Sequence, residues 1–308
     1  MTQVSEPHTT ARVLMVRPAA FGANAETAAS NAFQSASGTS PEVRARALAE
    51  FDAFVETLER HGVEVFVAED TPEPVKPDAL FPNNWVSFHA GGKVVLYPML
   101  APNRRAEVRL DLLGRLERRG AIQPRTQIDL RPGAEHFGYL EGTGSLVLDR
   151  TRRVAYACLS PRTAARRVAE FCAELGYLPE LFHALDRAGR PIYHTNVMLS
   201  VGTAFALLCG ESIREAEVRA RLEARLGEGG RELVTLTLAQ VEEFAGNVLE
   251  LASKDGEPLI VLSRRAQAAL DPAQLAVLER HGRLVPVALD TIERHGGGSA
   301  RCMLAELF

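Results

Sequence analysis

Five times along this 308-residue chain a short turn of polar or small residues leads into a strand-like run, at nearly equal intervals. The turns are FPNNW, LEGTGS, YHTNV, FAGNV and HGGGSARCM. They are anchored at Asn84, Glu141, His194, Asn247 and Cys302, in steps of 57, 53, 53 and 55 residues. A period of this length holds one supersecondary unit, which cannot bury its apolar face alone. Such units must stack, either as a solenoid or around an axis.

The content of each unit follows from local pattern. Short β-branched or aromatic runs read as strands at 12–16, 63–69, 85–90, 93–98, 145–149, 153–159, 196–201, 204–209, 247–252 and 258–263. HAGGK, LDRTRR, VGTA and ASKDGE join neighbours into hairpins. The stripe Leu48, Phe51, Val55 and Leu58 predicts a helix over 42–60, and Val168, Phe171, Cys172 and Leu175 predict one over 162–176. Less regular helical segments cover 104–119, 212–226 and 271–281. The order is hairpin, helix, strand, repeated. The last run, CMLAEL, has no strand after it, and RVLMV near the N-terminus is its natural partner. That pairing would close a ring whose strand starts converge at one mouth. Spacing alone leaves a two-domain α/β protein open as the other architecture.

Composition limits what the mouth can do. The chain is 46% hydrophobic and 24% charged, enough apolar material for a large core. Its net charge is -4 with Lys and Arg scattered, which argues against nucleic acid as a partner. No apolar run reaches the ~18 residues of a membrane span. The start, MTQVSEPHTTARVLMV, lacks the apolar core of a signal peptide, so the expected location is cytoplasmic, with no membrane partner. Cys158, Cys172 and Cys209 sit in apolar strand or helix contexts and read as small buried hydrophobes. Cys302 stands apart, behind three glycines and beside Arg301. No cysteine or histidine cluster has metal-ligand spacing, and neither a metal nor an organic cofactor is expected.

If the strand starts converge, one pocket receives Asn84, Glu141, His194, Asn196, Asn247 and Cys302. A thiol is a nucleophile, a histidine an acid/base, and a carboxylate an orienting partner. Amides suit a planar, hydrogen-bonding head group. The Arg301 side chain should point away from the face that Cys302 presents. Asn24, Asn31 and Gln34 fall in an Ala/Asn-rich loop long enough to serve as a lid.

The segments FPNNW, EGTGS, HTNV and GGGSARCM resemble the signature segments of the guanidine-modifying superfamily. That superfamily includes arginine deiminases, dimethylargininases and amidinotransferases. Within it, FPNNWVSFH, APNRR and EGTGS are most similar to the branch of citrulline utilization hydrolases. The resemblance runs from VRPAAFGANAETAASNAFQ at 16–34 to the last residue. It implies the five-bladed α/β propeller, or pentein, fold: pseudo-repeated ββαβ units closed by the N- and C-terminal strands, in one catalytic domain over 1–308.

Carried onto this chain, the resemblance implies Cys302 as nucleophile, His194 as general acid/base and Glu141 as the carboxylate beside it. Asn83, Asn84, Asn196 and Asn247 fall at the substrate, and Arg104 or Arg105 of APNRR at the substrate's α-carboxylate. Guanidine-acting relatives have an Asp at the position of Asn84 and another where this chain has Asn196. Amides there favour a neutral ureido group over a guanidinium. The expected reaction is therefore hydrolysis of citrulline to ornithine, ammonia and carbon dioxide, on a small amino-acid substrate. Arginine deiminase, dimethylarginine dihydrolase and amidinotransferase activities are the alternatives within the class, and a non-catalytic propeller scaffold the alternative outside it. The sequence leaves the oligomeric state open, a homo-oligomer included.

Overall fold

Ser40 starts the longest helix, Pro41–Arg60. Its hydroxyl accepts from the Val43 N–H, and Pro41 occupies the first turn, where no N–H is needed. The computed structural model describes residues 6–28, 31–34 and 40–308. The buried stripe of this helix is Ala47, Phe51, Phe54 and Leu58, with Leu48 and Val55 half-buried beside it. The helix Ala165–Leu175 buries the expected Val168, Phe171, Cys172 and Leu175 and ends on Gly176, in the left-handed region at φ 73°.

The described residues form five sheets of three strands. β1 (Arg12–Arg17) and β2 (Glu64–Glu69) run parallel, joined through the long helix. β3 (Val86–His89) and β4 (Lys93–Leu96) form an antiparallel hairpin, and β5 (Thr126–Asp129) adds parallel to β4. The pattern recurs in β6 (Val147–Asp149), β7 (Val154–Cys158) and β8 (Leu178–Phe182). It recurs again in β9 (Leu199–Val201), β10 (Phe205–Leu208) and β11 (Glu232–Thr235). The last full unit is β12 (Leu249–Ala252), β13 (Pro258–Ser263) and β14 (Arg283–Val287). β15 (Ala305–Glu306) then pairs antiparallel with β1, Val13 opposite Glu306 and Leu14 opposite Ala305. The C-terminal segment thus completes the first sheet, as the sequence suggested. The fold is mixed α/β. None of the sheets closes on itself among the described residues.

Two expectations change. β5, β8, β11 and β14 have no counterpart among the runs read as strands. They are short outer strands with several exposed positions, and β8 and β14 contain Pro179 and Pro286. Their pairing comes from the strand beside them rather than from their own pattern. The lead-in residues are also not strand. Pro82–Asn84, Thr195–Val197 and Ala300–Met303 are single 3₁₀ turns, and Gly142–Ser145 is one helical turn. Hydrogen bonds such as Cys302 N–H to Ser299 O at 3.0 Å curl the chain before each hairpin begins. CMLAEL, expected as strand from Cys302 onward, is strand only at Ala305–Glu306.

These turns touch one another in chain order. Thr143 Oγ1 donates to Asn83 O at 3.4 Å and Thr195 Oγ1 to Ser145 O at 2.6 Å. Asn247 Nδ2 donates to Asn196 O at 2.9 Å, and Arg301 N to Asn247 Oδ1 at 3.0 Å. Apolar clusters fill the spaces between sheets. Leu14 and Val16 pack with Val86 and Phe88, Val95 and Tyr97 with Ala155 and Ala157, and Val13 and Met15 with Leu259 and Val261. Among the described residues no helix is long and apolar enough to cross a membrane.

Candidate active site

Two positions of the turn Gly142–Ser145 leave no room for a side chain. Gly142 holds φ 48°, and a Cβ there would lie 2.0 Å from Asn83 O. A Cβ on Gly144 would lie 2.5 Å from Asn84 Nδ2 and 2.7 Å from His194 Nδ1. The glycines let Glu141 reach inward, fully buried. Glu141 Oε1 accepts from the Leu100 N–H at 3.0 Å, and Oε2 lies 2.8 Å from His194 Nε2.

Protonation follows from these contacts. Burial alone would raise the Glu141 pKa. Arg162, the His194 bond and Arg104 outweigh it and hold the carboxyl well below its usual range. Burial dominates at His194, and Arg162 and Arg104 add to it against the pull of Glu141, so its pKa is lowered to about 4. The imidazole is neutral at neutral pH. The carboxylate can only accept, so the ring proton sits on Nε2 and the lone pair on Nδ1.

Cys302 lies in the same small cavity, 4% exposed. Asn247 Nδ2 is 3.3 Å and Asn196 Nδ2 3.6 Å from its Sγ, two amide donors aimed at sulfur. Donors so placed stabilise negative charge there. Asn247 also binds Arg301 N through Oδ1, so one side chain fixes both the turn and the sulfur. Arg301 points away, to Leu304 O and Glu306. Burial pushes the thiols of Cys158 and Cys172 up to about 12 and that of Cys209 to about 11. None of these three lines the cavity.

The cavity wall is charged. Arg104 donates through Nε and Nη2 to both oxygens of Glu107 at 2.9 Å, and through Nη2 to Asn84 Oδ1 at 3.1 Å. Its Nη1 is 3.7 Å from Glu141 Oε2 and its Nε 3.5 Å from Asp78 Oδ2. Arg162 donates to Glu141 Oε2 at 3.3 Å and stacks over the Tyr193 ring at 4.9 Å. Asp78 accepts from Asn24 Nδ2 at 2.7 Å, while its Oδ1 is buried without a partner. Burial raises the Asp78 pKa, against Arg104 and Asn24. Burial likewise pushes the Glu107 carboxyl up to about 7, against Arg104. Three acids, Asp78, Glu107 and Glu141, thus face the two guanidiniums of Arg104 and Arg162, and only Glu141 is held low.

The cavity is lined by Asp78, Asn84, Arg104, Arg162, His194 and Cys302, among others, and roofed by Gly296–Gly298. Its free volume is only about 20 Å³. Asn31 Nδ2 and the Tyr193 hydroxyl hold the roof at Gly296 O, 3.1 Å, and Gly297 O, 2.7 Å. Thus Cys302, His194, Glu141, Asn84 and Arg104 are brought together, and Asn196 and Asn247 lie behind the sulfur. Asn83 is buried with neither side-chain atom partnered and is off the cavity. Arg105 faces a separate cavity of about 460 Å³ with Arg131 and His136, bonded to Met99 O, Leu100 O and Glu135. Asn24 and Asn31 of the loop read as a lid touch Asp78 and the roof, while 29–30 and 35–39 of that loop lie outside the described residues. Sequence reasoning missed Asp78, Glu107 and Arg162, which stand outside the repeated turns. Only the Arg104–Glu107 spacing of three carried a signal. Among the described residues no group of three or more His, Cys, Asp or Glu side chains is placed to hold a metal ion.

The family model for N,N dimethylarginine dimethylhydrolase, eukaryotic, matches residues 17–308. No curated protein matches the chain. Among solved structures, the N-terminal domain of ArgZ is similar in fold: an arginine dihydrolase from the ornithine–ammonia cycle in Cyanobacteria. It aligns at 16% identity and a TM-score of 0.73, over 96% of this chain and 97% of that one. AgrE aligns at 18% identity and 0.74, over 96% of this chain but 39% of its own length. A dimethylarginine dimethylaminohydrolase adduct with S-methyl-L-thiocitrulline aligns at 15% and 0.65, over 97% of this chain and all of that one. At these identities the structures speak to fold alone.

Proposed function

Because the chain belongs to the N,N dimethylarginine dimethylhydrolase family, we propose that it is a cysteine-nucleophile hydrolase cleaving a terminal C–N bond of a guanidino amino acid, arginine or an N-methylated arginine. The observation that carries this reading is Asp78. It is a buried carboxylate on the wall of the Cys302 cavity, with one oxygen unpartnered. A guanidinium supplies the charge and the planar donors that such an oxygen lacks.

In the proposed chemistry His194 Nδ1 takes the Cys302 proton, and the thiolate attacks the guanidinium carbon. The S–C bond forms, and the C–N bond to the leaving amine breaks as His194 returns the proton to that nitrogen. Water, deprotonated at Nδ1, then attacks the carbon. The C–S bond breaks and the sulfur leaves as thiolate. Glu141 holds the imidazole tautomer throughout. Arg104 and Arg162 line the cavity, and either could turn from its present carboxylate partners to the α-carboxylate. Arg105, on the other cavity, is not assigned to it. A cavity this small admits a substrate side chain only when a wall moves, and the glycine run Gly296–Gly298 with its Asn31 tether is the part best suited to do so. We further propose that the five sheets stand around one axis, as a five-bladed propeller forming a single domain over 1–308.

Citrulline is the second reading. It has Asn84 in its favour, whose buried Nδ2 has no partner and would donate to a ureido C=O. An ammonia- and amine-release screen of arginine, dimethylarginine, citrulline and agmatine separates the readings. Turnover of arginine or its methylated forms over citrulline supports the guanidino reading. Citrulline alone being hydrolysed supports the ureido reading, and no turnover of any compound removes both.

Gly144 gives a sharper check of the geometry. Its φ is not in the left-handed region, so alanine strains only its neighbours, His194 and Asn84. Gly144→Ala should lower kcat by about 10²-fold, the scale of an ångström's displacement of a reacting group. The circular dichroism spectrum should be unchanged. Wild-type kcat in this variant would mean that His194 Nδ1 is not the proton acceptor.

A further inference from the structure

Glu293 lies on the helix Asp290–Gly296, which runs directly into the glycine roof, but it is not part of the cavity. It is fully buried. Its Oε1 is 2.5 Å from Ser299 Oγ, and its Oε2 has no hydrogen-bond partner. The groups facing it are few. Arg265 Nη1 is 4.0 Å away and its guanidinium is engaged with Glu243, Asp290 stands on the same helix, and Ser263 and Ser299 offer hydroxyls. Packing does not call for an acid here, because Leu289 and Ile292 bury the apolar face of this segment. A buried carboxyl with one firm partner costs stability and calls for another explanation.

Ser299 supplies it. Ser299 precedes the turn Ala300–Met303, and its carbonyl accepts the Cys302 N–H at 3.0 Å. The preceding Gly296–Gly298 have no side chains to stiffen the approach, and Gly297 sits at φ 66°. Glu293 grips this flexible run at two points, through its carbonyl to Gly297 N at 3.0 Å and through its carboxyl to Ser299. We propose that Glu293 is a positioning residue for Cys302, acting through Ser299 to hold the glycine-flanked turn that aims the sulfur into the cavity. The inference rests on Cys302 being the nucleophile, as proposed above.

Protonation adds a signature. Burial pushes the Glu293 pKa up to about 7, from an ordinary 4.5. The folded value lies above the unfolded one. The neutral acid's contribution to stability is therefore full below about pH 4.5 and is lost as pH rises through about 7. On the alkaline side the carboxylate still accepts from Ser299 and faces Ser263, but these hydroxyls and a distant, shared arginine do not offset its lost solvation, so the buried segment around it should loosen.

The test measures kcat and KM for arginine, together with the rate of Cys302 alkylation by iodoacetamide, between pH 6 and 9. It compares wild type with Glu293→Gln, Glu293→Ala, Ser299→Ala and the Glu293→Ala/Ser299→Ala double variant. Each alanine variant should lose about 10- to 100-fold in kcat with KM little changed, as for a misplaced reacting group. The double variant should fall no further than the worse single one, because both cut the same tether. Glu293→Gln keeps the acceptor oxygen without the charge. It should match wild type near pH 6 and keep its alkylation rate and kcat at alkaline pH, where wild type declines. Multiplying losses in the double variant, or a glutamine variant as impaired as alanine at every pH, would overturn the proposal. If Glu293→Ala does not fold, Glu293→Gln and Ser299→Ala carry the test. If wild type turns over no guanidino compound, the functional reading fails by itself, and the alkylation profiles still decide the role of Glu293.

Discussion

Replacing Cys302 with alanine or serine abolishes ammonia release, by on the order of 10⁴-fold or more, while melting temperature and circular dichroism stay close to wild type. The size follows from the mechanism, since no other group can form the covalent bond to carbon, and losing a nucleophile removes the whole pathway rather than one interaction. Retention of the fold follows from position. Cys302 is 4% exposed beside a cavity, and Asn247 still holds the turn through Arg301 N when the sulfur is gone. Serine keeps the size and can still accept from Asn196 and Asn247, but its hydroxyl is a poor nucleophile beside a neutral imidazole. Iodoacetamide provides the companion measurement. In wild type Cys302 should label ahead of Cys158, Cys172 and Cys209, which are buried away from the cavity and whose thiols burial makes hard to ionise. Substrate should protect it. Appreciable turnover in Cys302→Ala, or equal labelling of all four cysteines, would sink the assignment and favour a non-catalytic scaffold.

The repeat was legible because each lead-in turn breaks a β-branched pattern with polar residues, and hairpin glycines such as Gly91 and Gly92 take the positive φ that tight turns need. The pairing of the C-terminal segment with β1 was legible because CMLAEL has no strand run after it and RVLMV at 12–16 is not joined to a neighbour by a hairpin turn. What the pattern did not show is what neighbours decide. β8 and β14 become strands because β7 and β13 offer open edges. Asn196, Asn247 and Cys302 curl into turns because main-chain bonds close there before the hairpin starts. The site divides in the same way. Cys302, His194 and Glu141 share a place in the repeat, so equal spacing brings them to one mouth. Asp78 comes from the connection ahead of FPNNW and Arg162 from the one after β7, and connections carry no period. Arg104 and Arg105 could not be separated by residue type. The 3₁₀ turn Pro102–Glu107 separates them, turning Arg104 onto Glu107 and the cavity and Arg105 outward.

Asp78 is where this correction bears on substrate. Amides at Asn84 and Asn196 suggested a neutral ureido group, on the view that no carboxylate remained to grip a cation beyond Glu141. Asp78 supplies one, and its unpartnered Oδ1 has most to gain from a cationic partner. Asp78→Asn is nearly isosteric. It can still accept from Asn24, and Arg104 keeps Glu107 and Glu141, so folding should survive. For arginine, kcat/KM should fall about 10²- to 10³-fold, the scale of one charge-assisted contact, ~3–4 kcal/mol, lost at a desolvated centre. For citrulline, which brings no charge, it should change by no more than about threefold, or rise, because a neutral wall suits a neutral head group. The ratio of the two substrates is the decisive quantity, since a general loss of active-site order would lower both. Equal losses would show that Asp78 serves only as a counter-charge to Arg104, and the amide at Asn84 would then become the better guide to what the cavity binds.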